Sequence, residues 1–91
     1  MKKALRIFIT GSVQGVTFRD YVKQHADEKN LAGFVRNLED GRIEIFLEGN
    51  QEEVEAVAAI CKRGPPHAQI RDVQEKEEKY QDLKEFKILR F

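Results

Sequence analysis

The sequence predicts an α+β fold of order β-α-β-β-α-β with an extra C-terminal strand. In it two helices pack on one face of a mostly antiparallel sheet. Three observations predict it. Stretches in which apolar residues alternate are interrupted twice by stretches of helical period. A hairpin signal, Asp40-Gly41, joins two of the alternating stretches. The 91 residues, 41% of them hydrophobic, suffice for one core, so residues 1–91 are expected to form a single domain. That order is the split β-α-β, or ferredoxin-like, plait.

Taken in order, Leu5, Ile7 and Ile9 alternate with Arg6, Phe8 and Thr10, the pattern of a strand with one buried face. Phe8 on the other face suggests that this side is partly covered too. Thr17 is placed to cap a helix, with Asp20 three residues on, near the positive helix end. Phe18, Tyr21, Val22, His25 and Ala26 then recur at helical spacing, and the helix fades between Asn30 and Gly33. Phe34 to Leu38 read as a second strand, and Ile43, Ile45 and Leu47 alternate along a third. Asn50 with Glu53 forms a capping-box arrangement at the start of a second helix. Its apolar stripe is Val54, Val57, Ala58 and Cys61, and Gly64-Pro65-Pro66 ends it. Ala68, Ile70 and Val73 begin a fourth strand, which the charge run Glu75 to Lys79 weakens. Phe86 and Ile88 suggest a short last strand, whose place in the sheet the pattern does not give.

Composition narrows the function classes. Sixteen basic and sixteen acidic residues balance, which argues against bulk nucleic-acid binding but leaves room for a local positive pocket. No run approaches the ~20 apolar residues of a membrane span, and Arg6 interrupts any signal-peptide core near the N-terminus. The single Cys61 offers no disulfide framework. A cytoplasmic protein is the expectation, and a monomer. His25 and His67 have no companions at metal-ligand spacing, so neither a metal nor another cofactor is expected.

The chemistry concentrates in Gly11-Ser12-Val13-Gln14-Gly15-Val16-Thr17-Phe18-Arg19, between a strand and a helix. Two glycines let the backbone approach a ligand closely. A turn entering a helix aims unpaired N–H groups into one concavity, which favours an anion. Arg19 adds a permanent charge and a planar fork of donors matched to phosphate oxygens. A cation is disfavoured at a helix start unless an anion sits beside it. The stretch therefore reads as a phosphate cradle, although a glycine turn alone is often only a junction. Asn37, inside a strand where asparagine is depleted, has two readings. It begins the hairpin turn, or its amide carbonyl accepts from a water while its NH2 donates to a neighbour.

A second run, Gly33-Phe34-Val35-Arg36-Asn37-Leu38-Glu39-Asp40-Gly41, sharpens this. Together the two runs closely resemble the signatures of the acylphosphatase family. The first matches Gly-x-Val-Gln-Gly-Val-x-Phe-Arg, and the second matches Gly-aromatic-Val-basic-Asn-x-x-x-Gly. The likeness extends over almost the whole chain. Ser12 stands where the family commonly has Arg, Thr17 where Gly is usual, and Ile43 replaces Val. The resemblance implies hydrolysis of acyl phosphates, with Arg19 and Asn37 catalytic and Asn37 positioning the attacking water. It also implies a phosphate held by Gln14, Gly15, Val16, Thr17, Phe18 and Arg19, with inorganic phosphate as product and competitive inhibitor.

The residues are consistent with a narrow substrate class. No nucleophile–base pair is visible, which is too little for an ordinary phosphomonoester. An acyl phosphate releases a carboxylate of pKa about 4, whereas an alkoxide resembles hydroxide, from water of pKa about 15.7. A carboxylate leaves without a proton donor, so positioning a water and stabilising phosphoryl charge suffice. The competing class is a non-catalytic phosphate-sensing module on the same fold, which would keep the cradle and have no use for Asn37.

Overall fold

The computed structural model describes residues 1–12 and 15–90. Its elements are β1 (Lys2–Ser12), α1 (Gly15–Glu28), β2 (Ala32–Asn37), β3 (Ile43–Asn50), α2 (Gln51–Arg63), β4 (Gln69–Glu78) and β5 (Phe86–Ile88). The strands form one sheet in the order β4-β1-β3-β2-β5. All neighbours are antiparallel except β2 and β5, which run parallel. The expected plait is present, and the last strand extends its β2 edge.

Alternation along the strands separates two faces. Leu5, Ile7, Ile9, Val35, Ile43, Ile45 and Leu47 point to the helices and meet Phe18, Val22, Ala26, Val54, Val57 and Cys61 in one core. The capping signal of α2 is realised: the Asn50 side chain accepts from the Glu52 amide at 3.0 Å. Gly64 closes that helix at φ 77°, a left-handed conformation that costs glycine little.

The face away from the helices carries Phe34 and Phe46 stacked 5.8 Å apart, with the Arg6 guanidinium 5.0 Å from the Phe46 ring. Arg6 and Arg36 both bond the buried Glu44 carboxylate, Arg36 at 2.6 Å. Phe46 is fully buried, so this pair is not an open platform for stacking bases. On the same face the buried Glu48 carboxylate accepts from the amides of Gln81 and Leu83. Those two bonds pin the segment between β4 and β5 across the sheet and deliver β5 to the far edge.

Three local expectations are corrected. Thr17 is not the N-cap of α1 but its third residue, because the helix already begins at Gly15. Asp20 is its sixth residue and exposed, past the amides it would cap. The charge run, expected to weaken β4, does not end it: the strand continues to Glu78 at the edge of the sheet. As an edge strand it needs only the β1 ladder for its hydrogen bonds, and its charged side chains are exposed apart from Glu78, which is half-buried and accepts from Arg6 at 3.1 Å.

Candidate active site

Two backbone features bring the candidate residues together at one end of the sheet. The first is the passage from β1 into α1. The β1–β4 register shifts between Thr10 and Gly11, a bulge that re-aims the strand where it leaves the sheet. A Cβ at Gly11 would stand 2.1 Å from the Gln69 carbonyl oxygen, so only glycine fits. The second is the hairpin after β2. The Leu38 amide donates to the Arg42 carbonyl at 2.8 Å, and the Gly41 amide donates to the Leu38 carbonyl at 3.0 Å. Gly41 at φ 94° completes a three-residue loop rather than the tight two-residue turn. Asp40 bonds both the Arg42 amide and its guanidinium, at 3.0 and 2.9 Å, and the amide above all holds its carboxyl below the ordinary range.

The hairpin is thus held without the Asn37 side chain. Asn37 ends β2 opposite Ile43, is exposed, and has no side-chain hydrogen bond among the described residues. It lies on the helix face, two residues beyond buried Val35. The reading of Asn37 as an anchor of the turn therefore has no support in the geometry.

Arg19, the fifth residue of α1, is half-buried. It lies one residue beyond the first turn, where the dipole penalty on a cation has already begun to fall off. Arg19 and Asn37 line a single concavity of about 330 Å³ together with Leu89 and Arg90. Among these residues both charges are positive and no carboxylate is present. Such a lining attracts an anion. Leu89 and Arg90 carry no motif in the sequence, and only the parallel register of β5 on β2 brings them here.

Of the proposed cradle, Gln14 lies outside the described residues. Gly15, Val16, Thr17 and Phe18 form the start of α1, so the expected loop from 14 to 19 is helical from Gly15 onward. Regular helical geometry leaves the first amides without intrahelical partners, which suits them to an anion. Phe18 can contribute only main chain, because its ring is buried in the core. Thr17 is exposed and lines a different concavity, of about 320 Å³, with Ser12, Phe18, Pro65, Pro66 and His67. The two positions that depart most from the motif, Ser12 and Thr17, thus line a concavity other than the one that Arg19 and Asn37 share.

Other reactive groups are accounted for. Cys61 is fully buried on α2, and burial pushes its thiol up to about 12, so no thiolate nucleophile forms near neutral pH. His25 packs edge-on to Tyr21 at 4.7 Å, with its Nδ1 3.6 Å from Glu28. Among the described residues no group of three or more His, Cys, Asp or Glu side chains is arranged to hold a metal ion. None of the described helices is long and apolar enough to cross a membrane.

The chain is similar along almost its whole length to known proteins. The family model described as acylphosphatase matches residues 5–88. An acylphosphatase of Nitrosococcus oceani is 42% identical over 88 residues, covering 97% of this chain and 99% of the relative. One from Methylococcus capsulatus is 40% identical over 89 residues, 97% of each. The crystal structure of acylphosphatase from Bacillus subtilis superposes with a TM-score of 0.87 at 36% identity, over 98% of this chain and 99% of that one.

Proposed function

The chain belongs to the acylphosphatase family, and from that premise we propose that it hydrolyses acyl phosphates at the concavity shared by Arg19 and Asn37. The observation that carries this reading is the meeting of those two side chains, from separate elements, in a concavity whose described lining also includes Arg90. Arg19 clamps two phosphoryl oxygens with its planar fork, and the amides opening α1 take the remaining charge. The Asn37 carbonyl accepts from a water and holds it in line with the scissile bond. The water oxygen bonds to phosphorus as the bond from phosphorus to the bridging oxygen breaks. The bond's electron pair leaves with the carboxylate, and the water's proton passes to a phosphoryl oxygen of the substrate. No step needs a protein acid or base, because a carboxylate leaves without a proton and the substrate's own phosphoryl oxygen takes the proton of the water. The products are a carboxylate and inorganic phosphate, and the latter competes for the same cradle.

The test is phosphate release from benzoyl phosphate in excess chelator, beside p-nitrophenyl phosphate. The proposal expects rapid turnover of the first and very slow turnover of the second. Equal rates, or activity that a divalent ion must restore, would contradict it. Tight phosphate binding without turnover of either would indicate a sensing module.

A further inference from the structure

We propose that Arg90 is a second phosphate-binding cation of this site, brought to it by the parallel pairing of β5. The inference rests on the reading of the Arg19–Asn37 concavity as the phosphoryl site. Gly33 pairs with Phe86, Phe34 with Lys87 and Val35 with Ile88. The ladder does not stop there, because the Leu89 amide donates to the Val35 carbonyl at 2.9 Å. Continued by two residues, the same register sets Arg90 beside Asn37. Alternation decides the face. Phe86 is buried in the core and Ile88 packs against it, so position 90 falls on the helix face, as does Asn37 two residues beyond Val35. Arg19 reaches the same space from α1, and the concavity is lined by all three.

A phosphoryl group in flight carries charge on three equatorial oxygens. A single arginine fork engages two of them. Arg90, exposed and reaching the same concavity from the end of β5 rather than from α1, offers donors to the oxygen that Arg19 leaves. Unlike Asn37 it meets substrate, product and transition state alike, so its loss should appear in ground-state affinity. Among the described strands only β2, through Asn37, also lines this space, so the pairing that carries Leu89 and Arg90 here gives β5 a functional reason beyond covering the sheet edge.

The experiment measures inorganic phosphate binding by calorimetry and its competitive inhibition of benzoyl phosphate hydrolysis. The variants are Arg90→Ala, Arg90→Glu, Arg90→Lys and Arg19→Ala, each confirmed folded by circular dichroism. Arg90→Ala should weaken phosphate about fivefold, the worth of one partly exposed charge pair of about 1 kcal/mol. Arg90→Glu should weaken it further, and Arg90→Lys should recover most of the loss. The dependence of phosphate affinity on salt should flatten in Arg90→Ala. Unchanged phosphate affinity in Arg90→Ala and Arg90→Glu, with affinity lost in Arg19→Ala, overturns the role of Arg90 and leaves the site intact. Unchanged affinity in Arg19→Ala as well overturns the site itself. Loss in Arg90→Lys equal to that in Arg90→Glu would show that charge at position 90 is not what matters, and also refutes the proposal.

Discussion

Replacing Asn37 with alanine separates chemistry from stability with unusual clarity. The side chain is exposed and makes no hydrogen bond among the described residues. The hairpin beside it is held by the Leu38–Arg42 and Gly41–Leu38 main-chain bonds and by Asp40 on Arg42. Losing Asn37 should therefore shift stability by less than about 0.5 kcal/mol, as for a surface substitution. Turnover is a different matter. If the amide carbonyl orients the attacking water, its removal forfeits one placed hydrogen bond formed in the transition state. That is worth about 3 kcal/mol, or a fall in kcat of roughly 10²-fold or more. Phosphate bound in the ground state does not need the water, so its inhibition constant should move by less than about threefold. The assay is steady-state hydrolysis of benzoyl phosphate with phosphate inhibition, beside a urea midpoint for each protein. Normal kcat in a folded Asn37→Ala protein refutes the water-positioning role. A fall in kcat matched by an equal loss of phosphate affinity would make Asn37 part of the cradle instead.

Three further outcomes follow from the same geometry. Arg19→Lys keeps the charge but loses the bidentate fork, so it should lose most activity and most phosphate inhibition, as Arg19→Ala does. Near-normal turnover would show that charge alone suffices. Glu44→Ala leaves Arg6 and Arg36 without the buried carboxylate they share, and should cost about 2 kcal/mol by denaturant midpoint. Cys61 gives a pH signature. Its folded pKa is raised to about 12 by burial, above the unfolded value of about 8.5. Its contribution is therefore complete below pH ~8.5 and is lost as pH rises from there towards 12. Relative to Cys61→Ala, the parent should lose stability between pH 8 and pH 10, and parallel curves would contradict this.

Where neighbours in sequence govern the structure, the sequence was legible. The alternation of Leu5, Ile7 and Ile9, the stripe Val54-Val57-Ala58-Cys61 and the Asn50 cap each depend on residues within one or two turns. Arg19 and Asn37 stood out as candidates because motif and physical oddity coincided, a cation near a helix start and an amide in a strand, and the fold places both on one concavity. The misplaced cap at Thr17 shows the opposite case. Ser and Thr capping is a local preference, and helix starts shift by a residue or two when a glycine such as Gly15 can open the first turn. The docking of β5 had no local signal at all. It depends on Glu48 capturing the amides of Gln81 and Leu83, some 33 and 35 residues away. Arg90 was hidden for the same reason, since only the β2–β5 register turns a residue after the last strand into a lining of the site.

The central claim is that water, held by Asn37, attacks phosphorus in a group clamped by Arg19. Hydrolysis of benzoyl phosphate in ¹⁸O-labelled water tests it most directly, because the label records which bond breaks. Attack at phosphorus places the label in inorganic phosphate and leaves benzoate unlabelled, and mass spectrometry of a single turnover should show that. Label in the benzoate would mean attack at the carbonyl carbon, and neither the cradle nor Asn37 would then have the role assigned to it.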